Sequence, residues 1–177
     1  SYWLVAREKT PTEPHWVAQA ETVFQSANEG HWWGTLTSEP GSGGDVLQSK
    51  TRAQGSSEPA GYQLTGSKHF GSGSGIMTYM VTTALADNEV EPDWFFIDMR
   101  NHAWDGSDGL RMFAEWDGQG MTATQSHGFE MQDLPATRIA WPGHLLDIVS
   151  RTGGFIGCLF PSVIVGIVDA AIETADK

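Results

Sequence analysis

Hydroxyl side chains and glycines gather at two places in this 177-residue sequence. In Thr35-Leu-Thr-Ser-Glu-Pro-Gly-Ser-Gly-Gly-Asp45, Thr35, Thr37 and Ser38 stand just ahead of Glu39-Pro40 and of three glycines within four positions. Glycine and proline force a tight turn there, and such turns expose backbone N–H groups. Amides rimmed by hydroxyls can hydrogen-bond the heteroatoms of a flat or anionic ligand. Taken alone, the stretch reads first as a Gly/Ser hairpin loop on a β domain. Gly66-Ser-Lys-His-Phe-Gly-Ser-Gly-Ser-Gly75 then repeats the same chemistry after a strand-like interval.

Other chemistries find no complete motif. Gly61-Tyr-Gln-Leu-Thr-Gly-Ser-Lys68 approaches a phosphate-binding loop but ends Ser-Lys rather than Lys-Ser, and Gly71-Ser-Gly-Ser-Gly75 lacks the third glycine of dinucleotide spacing. The six histidines are scattered without a His-x-x-x-His pair, which argues against a metal site. Asp105-Gly-Ser-Asp-Gly109 has too few oxygen ligands for a calcium loop and reads as a turn. A serine nucleophile finds no Gly-x-Ser-x-Gly elbow.

The elements that position the two glycine segments follow from periodicity. Trp16, Ala20, Val23, Phe24 and Ala27 share one face of a helix expected over Pro14 to Asn28, with Thr12 as cap and Gly30 as stop. Residues 1 to 11 show no clear period. After His31 the chain turns to short β-rich runs separated by Gly, Pro, Asn and Asp, which predicts a compact antiparallel barrel or sandwich. Strands are expected at Trp33–Ser38, Ser49–Gln54, Gly61–Thr65, Thr78–Ala86, Asp93–Met99, Leu110–Ala114, Gly128–Gln132 and Thr137–Trp141, with loops at 41–48, 54–61 and 100–109. The near-continuous run from Met77 to Ala86 suits a central strand. Beyond Pro142 helical periodicity returns and ends in Ser162–Lys177, with Pro161 starting or kinking that helix.

Twenty-two acids against ten bases, a formal net charge of −12, argue against a general nucleic-acid or anionic-membrane surface. Cys158 alone cannot form an internal disulfide and there is no Asn-x-Ser/Thr sequon, so a reducing cytoplasm is expected. The apolar run from Gly154 to Ala171 is interrupted by Pro161, Ser162 and Asp169, which favours a packed helix over a membrane span.

Together the two glycine segments resemble the middle domain of the acyl-CoA dehydrogenase family, whose pattern is T-E-P-G-x-G-S-D followed by a G-x-K-x-[WF] stretch. Gly120-Met-Thr-Ala-Thr-Gln-Ser-His-Gly-Phe-Glu-Met-Gln-Asp-Leu-Pro135 resembles that family's third signature, so the likeness covers Thr35 to Pro135. It implies a mainly β middle domain at 31–142, the end of an N-terminal helical domain at 1–30 and the start of a C-terminal helical domain at 143–177. It also implies a segment of a longer FAD-dependent oxidoreductase of fatty acid metabolism. Such an enzyme oxidises the α–β bond of an acyl-CoA thioester, assembles as a homo-oligomer and takes its general base from the C-terminal domain. The same likeness places Thr35, Thr37, Ser38, Phe70, Gly71 and Ser72 against the flavin, with Phe70 facing the ring and Ser72 bonding near its polar edge. It sets Gly44 toward the substrate and leaves Glu39 a structural role.

The pattern is not reproduced everywhere. Ser38 stands for the usual Thr, Gly44 for a Ser and Gly71 for a bulky residue, the last two expected to open space around the ring. A monooxygenase branch of the same superfamily is an alternative, as is a non-catalytic β binding module.

Overall fold

A computed structural model describes residues 14–42, 44–57, 61–140 and 142–175. Helix α1 spans Pro14–Asn28, as its periodicity predicts, and ends where Gly30 takes a left-handed conformation (φ 85°) and His31 N–H bonds back to the Ser26 carbonyl. Residues 1 to 11 and the cap expected at Thr12 lie outside the described residues.

Seven strands follow: β1 Trp33–Thr35, β2 Arg52–Gly55, β3 Tyr62–Gly71, β4 Tyr79–Ala86, β5 Asp93–Asp98, β6 Leu110–Ala114 and β7 His127–Arg138. Strands β4, β2, β3, β7 and β5 close into a five-stranded barrel, because β5 pairs back onto β4. Most pairings are antiparallel. The exceptions decide where the first glycine segment lies: β1 and β2 both run parallel to β4, β1 beside Tyr79–Val81 and β2 beside Leu85–Ala86. They share one edge of β4 end to end. Between them the chain departs from that edge, with Leu36 N–H still donating to the Val81 carbonyl and the Thr51 carbonyl accepting from Leu85 N–H, and the described residues of 36–51 make the excursion.

Leu36, Leu64, Met80, Phe95, Ile97, Leu110, Phe129, Met131 and Leu134 fill the barrel and are essentially inaccessible. Each such side chain contributes roughly 1.5–3 kcal/mol of burial. The expected alternation in β7 is present, Phe129 and Met131 buried against the more exposed Glu130 and Gln132. Helix α1 buries Trp16 and Val23, and its Ser26 Oγ accepts from Trp33 Nε1 of β1 at 2.9 Å. Its Gln19 side chain acts as a short strand partner, donating to the Arg138 carbonyl (3.0 Å) and accepting from Ala140 N–H (2.8 Å).

Several boundaries differ from expectation: β1 stops at Thr35 rather than Ser38, and β2 begins at Arg52 rather than Ser49. The strands expected at Gly128–Gln132 and Thr137–Trp141 are one strand, continuous through Asp133 (φ 52°) and Pro135; β7 pairs β6 before that irregularity and β5 after it. Trp141 itself is outside the described residues. The second glycine segment is not a loop for most of its length, since Gly66–Gly71 is the second half of β3. Gly66 is required by close approach, because a Cβ there would lie 2.6 Å from Thr51 Oγ1.

Residues Thr12–Gly143 form one compact unit, and the helix α2, Leu145–Ala175, belongs to another. It is one helix from Leu145 on, and Pro161 lies inside it and does not start it. Leu159, Val163, Ile164, Val165, Ile167, Val168 and Ile172 are all about half exposed. By length and composition Gly157–Ala175, with mean hydropathy 1.7, is long and apolar enough to cross a membrane. None of that stretch is buried within the described residues.

Candidate functional site

The excursion at 36–51 and the end of β3 lie side by side. Ser38 bridges His69, whose N–H donates to the Ser38 carbonyl at 2.7 Å, and Thr35 bridges Ser72. Ser38, Glu39, Pro40, Gly41, Gly44, His69 and Phe70 line an open cleft of about 470 Å³. The structure therefore brings Ser38, Gly44 and Phe70 together, with Thr35 and Ser72 adjoining them. Thr37 and Gly71 are neighbours of the lining residues in sequence but do not line the cleft.

Phe70 is the exposed aromatic at the rim. It is 58% accessible and adopts a left-handed backbone (φ 57°), an unfavourable conformation for a bulky residue. Its ring is flanked by His69 (centroids 5.9 Å) and by Trp116 in edge-on geometry (6.2 Å). An exposed aromatic held in strained backbone marks a site more than a core position. Gly44 (φ 85°) has nothing within 4 Å of a built Cβ, as the expected open space requires. Gly71 does not open space: a Cβ there would meet Leu36 Cδ1 at 2.9 Å and Ser74 Oγ at 3.0 Å. Its glycine is demanded by barrel packing.

Beneath the cleft the Glu39 carboxylate is buried and fully engaged. It accepts from Lys68 Nζ (2.6 Å), Ser49 Oγ (2.7 Å), Lys50 N–H (2.7 Å), Thr51 Oγ1 (2.8 Å) and Thr51 N–H (3.1 Å). Burial works to raise its pKa, but these donors outweigh burial and hold it at about 2. Lys68, wholly buried, also donates to the Thr83 carbonyl at 2.7 Å, a group on β4 in the gap between β1 and β2. Burial pushes the Lys68 ammonium below its usual value, opposed by Glu39. The structural role expected of Glu39 is thus a two-sided one, completed by Lys68, which motif reading left without a role.

Sequence reasoning also missed a second layer. Ser72 Oγ lies 2.9 Å from Ser126 Oγ, which lies 2.8 Å from Thr124 Oγ1, and Gly73 N–H donates to the Thr124 carbonyl. The alternate hydroxyls of Thr124-Gln-Ser126 were the available signal. Among the described residues no cluster of metal-ligating side chains occurs.

No family model and no curated protein matches the sequence. Solved structures do. FMN-bound TdsC from Paenibacillus sp. A11-2 matches with a TM-score of 0.56 at 22% identity, over 76% of this chain and 33% of its own. KijD3 in complex with FMN and a dTDP-amino-keto sugar matches with a TM-score of 0.54 at 18% identity, over 75% and 30%. A probable acyl-CoA dehydrogenase from Mycobacterium abscessus gives 0.53 at 20%, over 69% and 31%. The fold is shared with acyl-CoA dehydrogenase-type flavoproteins. The chain spans about a third of the length of these three solved chains.

Proposed function

We propose that this chain is the ring-cradling part of a flavin-dependent oxidoreductase of the acyl-CoA dehydrogenase type. The observation that carries the reading is the juxtaposition of Ser38, Gly44 and Phe70 around one cleft, with Thr35 and Ser72 beside it. A flat heteroaromatic ring needs an apolar face and a polar edge, and these residues supply both. A bound flavin supplies two-electron chemistry. Phe70 would offer the face, while Ser38, Thr37, Thr35 and Ser72 would offer hydroxyls and amides, and the Gly71 backbone would adjoin them.

The finer reading is an FAD enzyme that oxidises the α–β bond of an acyl-CoA thioester, with Gly44 on the substrate side. Proton abstraction needs a carboxylate whose pKa lies near the working pH. Glu39 lines the cleft but is held at about 2 and spends its oxygens on five donors, so it is unfit as that base. This supports a base contributed from outside the cleft residues, by a C-terminal helical domain of which 143–177 would be the start, with 1–30 ending an N-terminal one. Helix α2 would then lie in a helical bundle of a cytoplasmic homo-oligomer, which accounts for its apolar surface without a bilayer.

A second reading, a monooxygenase of the same fold using FMN, is supported by the FMN bound in TdsC and in KijD3, whose matches cover three quarters of this chain. Anaerobic addition of acyl-CoA to the flavin-loaded full-length polypeptide tests both. Bleaching of the flavin is expected for the dehydrogenase; absence of bleaching, with an oxygenated product from externally reduced flavin, supports the second reading. Failure to retain any flavin would overturn both.

A further inference from the structure

The hydroxyl chain behind Ser72 has a direction fixed by what each member can donate. A hydroxyl has one proton to give, and a carbonyl can only accept. Thr124 Oγ1 lies 2.8 Å from the Met121 carbonyl, closer than that oxygen's other donors, Thr124 N–H (3.0 Å) and Trp116 Nε1 (3.2 Å). Thr124 must therefore spend its proton on Met121. The 2.8 Å contact between Thr124 and Ser126 then requires Ser126 to donate, and the 2.9 Å contact between Ser126 and Ser72 requires Ser72 to donate inward. Ser126 is buried, so its acceptor position has no exposed water to fall back on. Ser72, which is exposed, is left facing the solvent side with lone pairs only.

The relay is also held rigidly. Met121 (φ 52°) and Gln125 (φ 44°) flank the 3-10 turn Thr122–Thr124 in left-handed conformations, and Gly73 N–H ties that turn to the segment bearing Ser72. Two strained non-glycine residues around one three-residue turn are unusual and tend to accompany sites.

We propose that the directed chain Ser72 to Ser126 to Thr124 to the Met121 carbonyl makes Ser72 a hydrogen-bond acceptor, so that the site prefers the reduced form of a flavin ring. The reduced ring carries N–H groups at positions where the oxidised ring presents bare nitrogens, and an acceptor-only hydroxyl pairs with the former and opposes the latter. This inference rests on the flavin reading above and adds to it a polarity, the reverse of a Ser72 that donates to the ring.

The test is equilibrium titration of FMN, oxidised and dithionite-reduced, against the full-length polypeptide under anaerobic conditions. The wild type is expected to bind the reduced form more tightly. Ser126→Ala frees the Ser72 proton for the ligand, so the ratio of oxidised to reduced Kd should fall about fivefold, mainly through tighter binding of oxidised FMN. Ser72→Ala should lower the ratio without that gain, and being at an exposed position it serves if Ser126→Ala does not fold. A ratio unchanged in both variants would overturn the polarity while leaving flavin binding intact. No binding of either form would overturn the flavin reading and the inference with it.

Discussion

The Lys68 ammonium sits 2.6 Å from Glu39 Oε1 with both side chains out of solvent, at the point where β1 gives way to β2 along β4. Burying two charges has a desolvation cost that only close geometry and further hydrogen bonds offset. Here the further bonds come from Ser49, Lys50, Thr51 and Thr83. The pair thus closes a gap in the barrel wall and fixes the floor of the cleft with the same atoms.

Removing one partner strands the other charge. Lys68→Met and Glu39→Gln should each destabilise the fold by roughly 3–5 kcal/mol, measured by chemical denaturation. The double variant should lose much less than the sum, because neither charge is then left alone. Strict additivity would show that the two do not act as a pair.

The pH dependence follows from Glu39. Its folded-state pKa of about 2 lies below the ordinary 4.5, so between those values the unfolded chain binds more protons. The stabilisation is fully present above about pH 4.5 and is lost as pH falls toward 2. Roughly 2–3 kcal/mol should disappear across that window. In Glu39→Gln this part of the acid limb should flatten; an acid profile identical to wild type would assign the loss to other carboxylates.

Much of this architecture was legible from periodicity, and the reasons for the exceptions are local. Helix α1 matched in extent because its period and its Gly30 stop agree, while of its predicted apolar face Trp16 and Val23 are buried and Phe24 and Ala27 are exposed. The strand Leu110–Ala114 matched because turn residues bound it on its N-terminal side. The sharing of β4 by β1 and β2 had no signal, since parallel pairing is set by a long-range partner and not by alternation. The Lys68–Glu39 pair was hidden for a similar reason: 29 positions separate two residues whose types ordinarily signal a solvated surface. The residues singled out by their motifs do come together, with Ser38, Gly44 and Phe70 lining one cleft and Thr35 and Ser72 adjoining it. The relay behind Ser72 comes from a third segment, joined to the others only by the fold.

Gly71 separates packing from function. A Cβ at this position meets Leu36 Cδ1 and Ser74 Oγ at about the limit of tolerated contact. Gly71→Ala should therefore cost roughly 1–3 kcal/mol of stability, as overpacking does. Gly44→Ala meets no atoms, and its cost of about 1 kcal/mol should come from the left-handed backbone alone. Thermal unfolding of the two variants gives the order; equal shifts would mean that the barrel relaxes around Gly71.

Phe70 is the residue at which fold and site make opposite demands. A buried core phenylalanine cut back to a small residue costs about 3–5 kcal/mol. Phe70 is instead 58% exposed, and its positive φ is a conformation that glycine adopts without steric cost. Phe70→Gly loses a tilted ring contact with His69 and an edge-on one with Trp116 but removes backbone strain of roughly 1–2 kcal/mol, so its stability should stay within about 1 kcal/mol of wild type. Ring binding should weaken in the same variant, since the aromatic face is gone: a loss of about 1 kcal/mol is about fivefold in Kd. Denaturation and FMN titration on one preparation check both halves. A large loss of stability with unchanged FMN affinity would place Phe70 in the packing of the domain and take the aromatic face out of the proposed cradle.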